Sequence, residues 1–223
     1  MGAVGGKERV VVFDVMGTLF DLERVRRSLV DLGAPPAALE AWFQRILHEA
    51  ATVTIVDGYR PFKELAASAL KTTLAQLGLA AGRTEPLGAL AELDPYPDAA
   101  DALRQLREAG VRIMALTNGS ADSTEKLLER GGLSELVEEI TSCDEVRRFK
   151  PHPAPYELAI QRVGLPATFV AAHGWDVVGA RAAGFDTVWI DREEHEWPFP
   201  LDLPRRAGDL ADAARLILAA AAG

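Results

Sequence analysis

A run of apolar residues, Val10-Val11-Val12-Phe13, leads straight into Asp14, with Gly17 and Thr18 close behind. An unbroken apolar run closed by a turn signal reads as a buried parallel strand. Asp14 then stands at the strand's carboxyl end, where open α/β sheets bind their ligands. A carboxylate is costly to desolvate there unless it has partners or a task. The bland alternative is that Asp14 only caps the next turn. Three later segments bear on that choice. Thr117-Asn118-Gly119-Ser120 follows a second apolar run, so a hydroxyl and an amide can face the same edge; the alternative is an ordinary turn with Ser120 as helix N-cap. Lys150 lies in a basic loop closed by prolines, residues 147–156. Asp176 follows Trp175 where a third apolar run gives way to a helix, with His173 just upstream. Negative groups crowded at one edge raise one another's pKa, so a reactive Asp14 needs a cation such as Lys150 to stay ionised. A lone carboxylate kept ionised in this way is equipped for nucleophilic attack.

The elements that must position these residues follow from periodicity. Strands are predicted at 10–13, 111–117, 137–142, 169–172 and 187–190. Helices are predicted at 98–109, 120–130, 153–163 and 177–183, several closed by glycine. Strands alternating with helices predict an α/β fold with a doubly wound parallel sheet. Between the first and second strands, 20–95 shows only helical spacing, at about 21–32, 37–54, 60–77 and 84–93. This predicts an all-helical cap at 20–95 on a Rossmann-like core formed by 1–19 and 96–223. An Ala-rich stretch at 211–222, broken by Asp212 and Arg215, reads as a surface helix.

Composition narrows the functional classes. The 223 residues suit one α/β domain with an insertion, and 48% hydrophobic residues suffice for a core. A formal charge of −9 argues against nucleic acid and anionic membrane as partners. The single cysteine, Cys143, cannot form an internal disulfide, which fits a cytoplasmic location, and it reads as a packed small side chain. Neither a signal core nor a window of ~20 apolar residues is present.

The residues quoted above resemble the motifs of the haloacid dehalogenase (HAD) superfamily. Asp14-Val15-Met16-Gly17-Thr18 is similar to its first motif, D-x-x-G-T, in which the first aspartate attacks the substrate. Most members are phosphatases with a second aspartate two residues on, where this chain has Met16. The 2-haloacid dehalogenase branch also lacks that acid. Thr117 fills the second motif, which holds the substrate's charged group, and Asn118 matches that branch. Lys150-Pro151 looks like the third motif, and Tyr156, six residues on, also fits; a helical tyrosine is otherwise core packing. Trp175-Asp176 followed by Gly179-Ala180-Arg181 matches the branch in the fourth. Phosphatases hold magnesium there with two acids four residues apart, and here the earlier position is Ala172. The branch usually has Ser and Asn where this chain has Ala171 and His173. His173 is either a substrate contact or a hydrogen-bonded loop imidazole, and Asp176 on its own is also a plausible N-cap.

In the cap, Trp42 aligns with a tryptophan of the branch, but the following carboxylate-binding arginine is replaced by Phe43. Arg45 lies two positions on, about 200° around a helix. It either takes the arginine's place or faces solvent.

The resemblance and the missing acid together point to a chemistry. An alkoxide leaving group benefits from a positioned proton donor, and Met16 cannot donate. Phosphoryl transfer leans on a metal, and Ala172 removes a ligand. A halide leaves without either. The expectation is a metal-independent, cofactor-free hydrolase that dehalogenates a small 2-haloacid through an ester on Asp14. The alternatives are a HAD phosphatase, a hydrolase of another small acid, or an inactive HAD-fold binding protein. The expected catalytic set is Asp14, Thr18, Lys150 and Asp176. The expected substrate contacts are Val15, Met16, Phe43, Arg45, Thr117, Asn118, Tyr156, His173 and Trp175. The partner is a small anionic molecule, and apolar cap residues leave room for a homodimer.

Overall fold

The structure, a computed structural model, describes residues 9–192 and 194–220. Residues 1–8 of the expected core segment, and the end of the Ala-rich stretch, lie outside the described residues. β1 (Arg9–Phe13) is the apolar run before Asp14. It lies at the centre of a six-stranded sheet with β4 (Val111–Thr117), β5 (Glu139–Ser142), β6 (Thr168–Ala171), β7 (Asp186–Ile190) and β8 (Arg205–Ala207), in the order β5-β4-β1-β6-β7-β8. All pairings in this sheet are parallel.

The chain builds outward from β1 on one side through β4 and β5, then crosses over to β6, β7 and β8 on the other. Such a reversal splays the adjoining loops apart and opens a crevice at the strands' carboxyl ends. β1 is buried on both faces because each face carries a helical layer. Val11 and Phe13 belong to one apolar cluster, with α5 (Ala99–Glu108) and α10 (Leu210–Ala219) packed there. Val10 and Val12 belong to the other, with α8 (Pro153–Val163) and α9 (Gly174–Ala182). This explains why β1 reads as a continuous apolar run rather than an alternating one.

Between β1 and β4 the chain makes α1 (Glu23–Asp31), α2 (Ala38–Ile55), α3 (Phe62–Gln76) and α4 (Glu85–Leu90). α2 and α3 pack against each other through apolar faces. Leu39, Trp42, Ile46 and Ala50 of α2 are buried, as are Leu65, Ala66, Ala69 and Leu70 of α3. The buried Trp42 indole N–H donates to the Ala66 carbonyl at 2.9 Å, fixing the register of the pair. Phe43 and Leu47 of α2 are only half-buried and turn toward the core instead.

Three features depart from the sequence reading. The stretch 20–95 was expected to contain no strand, yet β2 (Phe20–Asp21) and β3 (Asp94–Pro95) pair antiparallel where the chain leaves and re-enters the core. Two residues per strand are too short to generate a period-2 pattern. The sheet was expected to end at 187–190, but β8 adds an edge strand. Its Arg-Arg-Ala sequence carries no apolar run, because an edge strand is only partly covered. A short α7 (Cys143–Val146) follows β5 directly. Among the described residues no helix is long and apolar enough to cross a membrane.

The α2–α3 contact makes a stability prediction. Trp42→Ala removes a fully buried ring and its hydrogen bond, and should cost about 3–5 kcal/mol in urea unfolding.

Candidate active site

Four loops at the carboxyl edge of the sheet deliver the site. Asp14 leaves β1 with its N–H bonded to the Val170 carbonyl of β6 at 3.0 Å, so its backbone is held by the sheet. The chain then turns tightly, and the Val15 carbonyl accepts from the N–H groups of Leu19 and Phe20. Gly17 adopts φ +78°, and a Cβ there would lie 2.7 Å from His173 Nε2, so both conformation and space demand glycine. The turn brings Thr18 back over Asp14. Its hydroxyl donates to Asp14 Oδ2 at 2.7 Å and accepts from the Ala172 N–H at 2.9 Å, linking the loops after β1 and β6.

Lys150 is 2% exposed and reaches in from the loop before α8. Its Nζ donates to Asp14 Oδ1 at 2.8 Å, Asp176 Oδ2 at 2.6 Å and the Leu116 carbonyl at 3.1 Å. An ammonium has three donors, and all three are used. Asp176, fully buried, also accepts from the Tyr156 hydroxyl at 2.5 Å.

The two carboxylates are not equivalent. Burial alone would raise the Asp14 pKa, but the Lys150 charge, His173 and hydrogen bonds from Lys150 and Thr18 outweigh it and bring it below the ordinary value. Burial pushes Asp176 up to about 6, and neither Lys150 nor Tyr156 offsets that fully because Asp14 repels it. One group is therefore held ionised while the other is poised to exchange a proton near neutrality, as a nucleophile and a general base require. The same pair of carboxylates raises the Lys150 pKa against its own burial, so the ammonium stays charged.

Above Asp14 lies a small chamber of about 20 Å³, enclosed by Met16, Phe43, Leu47, Phe62, Thr117, Asn118, Gly119, His173 and Trp175. Met16 stands there as an apolar side chain. Asn118 is oriented by its neighbours: its Oδ1 accepts from the Lys150 N–H at 3.0 Å and the Cys143 thiol at 3.2 Å, which leaves the amide N–H groups to donate elsewhere. Thr117 Oγ1 accepts from the Gly119 N–H at 3.0 Å. The Trp175 indole N–H is buried without a protein partner. His173 donates through Nε2 to the Met16 carbonyl at 3.0 Å and lies against Phe43 and Trp175, with ring centroids 5.3 and 5.7 Å away. It is thus both a hydrogen-bonded loop imidazole and a wall of the chamber.

The structure does not bring three of the expected contacts to the chamber. Arg45 donates to Gln76 Oε1 of α3 at 2.7 Å, because its place on α2 turns it toward the neighbouring helix rather than toward the core. Val15 is buried in the apolar core beneath the turn. Tyr156 is buried behind Asp176, to which its hydroxyl donates, and does not reach the chamber. Two supporting residues carried no signal in the sequence. Ser142 donates to the Gly119 carbonyl at 2.7 Å. Cys143, read as packing alone, orients Asn118, and burial pushes its thiol up to about 12, so it stays protonated.

The donor set does not fit a divalent cation. The Lys150 ammonium sits between the two carboxylates where a metal would have to lie, and Ala172 offers no oxygen from its side chain. Among the described residues no three His, Cys, Asp or Glu side chains gather as ligands.

Two predictions follow from this geometry. A Cβ on Gly179 of α9 would lie 2.5 Å from the Tyr156 hydroxyl and 2.8 Å from Pro151 Cβ. Gly179→Ala should therefore displace Tyr156 from Asp176 and cost about 1–3 kcal/mol by overpacking, together with most of the activity, as read by thermal unfolding and steady-state assay. The pKa order sets the acid limb. Asp176 is ionised above about 6 and protonated below, while Asp14 stays ionised across that range. Turnover should fall about tenfold per pH unit below that point. Rapid-quench assays there should still show a burst of the first step.

The chain is similar to named proteins along most of its length. Residues 8–184 match the family model of the haloacid dehalogenase-like hydrolases. The (S)-2-haloacid dehalogenase 1 of Pseudomonas sp. (strain CBS-3) is 35% identical over 192 residues, covering 82% of this chain and 85% of that protein. Haloacetate dehalogenase H-2 of Moraxella sp. (strain B) is 32% identical over 196 residues, covering 83% and 87%. The crystal structure of L-2-haloacid dehalogenase from Xanthobacter autotrophicus with chloropropionic acid covalently bound superposes with a TM-score of 0.85, at 27% identity, over 94% of this chain and 98% of that one. With the Asp14–Lys150–Asp176 centre at the edge of a matching fold, the chain belongs to the haloacid dehalogenase-like hydrolases, in the 2-haloacid dehalogenase branch.

Proposed function

We propose that the protein hydrolyses a small 2-haloacid, replacing the halogen by hydroxyl through an ester on Asp14. The observation that carries this reading is the single lysine bridging two unlike carboxylates under a chamber in which the apolar Met16 stands where a phosphatase carries its second acid. The ionised Asp14 attacks C2 of the substrate, and the carbon–halogen bond breaks with its electron pair leaving as halide. Halide needs no proton, which is why Met16 is tolerated there. Attack opposite the leaving group inverts the carbon, so an (S)-2-haloacid, the substrate in the name of the Pseudomonas relative, would give the (R)-2-hydroxy acid.

The second step regenerates the enzyme. Water gives a proton to Asp176 and adds to the carboxyl carbon of the Asp14 ester. The hydroxy acid leaves with the oxygen that Asp14 contributed, its alkoxide taking the proton back from Asp176. One water oxygen remains on Asp14, whose carboxyl releases its proton to solvent, so that both carboxylates are regenerated. Lys150 stays charged throughout and lowers the cost of negative charge at the ester carbonyl. Thr18 holds the carboxylate in line from its other oxygen. Asn118, through its amide N–H groups, and the Trp175 indole N–H are the free donors for the departing anion. Phe43, Leu47 and Phe62, from the helical insertion, give the substrate carbon an apolar wall. We assign residues 20–95 to a cap and the remainder to the catalytic core on this basis.

The test is a single turnover in ¹⁸O-water with enzyme in excess. The first product should carry unlabelled oxygen and the label should appear on Asp14; label in the first product means that water attacks the substrate directly and removes the covalent mechanism. Asp14→Asn should abolish halide release. Asp176→Asn should release one equivalent of halide, retain the ester by intact mass and lower turnover by ~10²–10⁴-fold.

A further inference from the structure

The cleft above Asp14 is divided in two. Outside the small chamber lies a cavity of about 380 Å³ between the helical insertion and the core. Phe43 and His173 line both spaces, so their ring pair is the partition between them. An anionic substrate that reaches Asp14 brings a second carboxylate beside the first, and desolvating it without a counter-charge is costly.

Few groups can supply that charge. Lys150 has no donor left, since Asp14, Asp176 and Leu116 take all three. Arg45 is turned to Gln76. Arg26 and Arg192 line the outer cavity only; Arg192 is stacked on Tyr96 at 3.5 Å and leans toward the Thr18 carbonyl. Among the described side chains around the inner chamber, His173 is the one that can carry positive charge. Its Nε2 must be the donor to Met16, because a carbonyl only accepts, and Nδ1 has no protein partner among the described residues.

We infer that His173 is the residue that recognises the substrate's carboxylate, through Nδ1–H of the imidazolium, at the partition between the two cavities. This rests on the haloacid reading of the site. Anionic and aromatic groups face the ring from several elements. The Asp14 carboxylate faces it from the end of β1. Glu194, from the segment after β7, faces it as well while accepting from the Gly174 N–H. Phe43 of α2 and Trp175 of α9 present their rings to it, an arrangement that attracts a cation. The remaining charges nearby are Lys150 beyond the Trp175 ring and, around the outer cavity, Arg26, Glu40, Arg192 and His195. Because Gly17 leaves no space between the ring and the nucleophile loop, recognition of the substrate anion is mechanically tied to the Asp14 turn.

The experiment is the pH dependence of KM for chloroacetate between about pH 6 and 9, where an imidazole titrates and a guanidinium or ammonium does not. In the unmodified protein KM should rise with pH as His173 loses its charge, with kcat changing less, and acetate should weaken as a competitive inhibitor in parallel. His173→Gln keeps an N–H for Met16 but carries no charge; it should raise KM about tenfold or more at the acid end and remove the pH dependence. His173→Asn serves as the second variant should the first fail to fold. A flat KM profile in the unmodified protein overturns the inference. So does a variant within about twofold of it in KM, or one whose KM is raised but still climbs with pH, which would mark a merely structural ring. Ester formation on Asp14 in the Asp176→Asn protein separates the two claims. Ester present with KM indifferent to His173 defeats this inference alone, whereas no ester with any haloacid defeats the dehalogenase reading and this inference with it.

Discussion

The Lys150 ammonium is buried at the end of the sheet with two carboxylates and a carbonyl as its hydrogen-bond partners. Removing three charges from water costs several kcal/mol each, and their mutual attraction repays this only when the geometry is good and the remaining lone pairs are met. Much of the surrounding structure serves that condition. Thr18 satisfies the second oxygen of Asp14, and Tyr156 the second oxygen of Asp176. Gly179 has no side chain, which lets Tyr156 approach. One cation cannot serve two anions equally. Each carboxylate has Lys150 and one hydroxyl as donors, but Asp14 is also held down by His173, while Asp176 is repelled by Asp14 and bears the residual cost of burial. The difference in ionisation between the two carboxylates is therefore a consequence of their unequal surroundings about one shared charge.

That centre exists where it does because of the strand order. Reversal of the winding direction about β1 brings the loops after β1, β4 and β6 to one crevice, and these loops carry Asp14, Asn118 and His173. The helical insertion closes the crevice from above. It is attached by two chain crossings, and these are tied together: Phe20 pairs with Pro95, and the Tyr96 N–H donates to the Leu19 carbonyl at 2.9 Å. Arg192 covers the Tyr96 ring and approaches the Thr18 carbonyl, so the second crossing is anchored to the loop from Asp14 to Thr18. The rings of Phe43, His173 and Trp175 then join insertion and core directly over the reacting atoms. Asp14 and the contacts that close the crevice above it share the same short loop.

The residues legible in the sequence were those whose signal is local. Asp14 is marked by the apolar run that ends on it, and the alternation of strands and helices is visible because each element carries its own period. Lys150 and Asp176 were identified by sequence motif, and the structure brings both to Asp14. The exclusion of an acid at Met16 and of a metal-ligating side chain at Ala172 also needed only side-chain chemistry. Residue type determines what a group is able to do, and that is written at its own position.

What only the tertiary structure decided is which partner each group meets. Arg45 stood open between pocket and solvent, and the α2–α3 packing turned it to Gln76. Tyr156 was ambiguous until its hydroxyl was found on Asp176, 20 positions away in sequence. Cys143 and Ser142 gave no sign of supporting Asn118 and Gly119, since those bonds span 25 and 23 residues. His173 reaches back 157 residues to Met16. β2, β3 and β8 escaped because two or three residues cannot display a period; pairing with a neighbour is what makes them strands. Chemical capability is a property of the single side chain, but ionisation state, orientation and access depend on charges and surfaces that folding alone brings together.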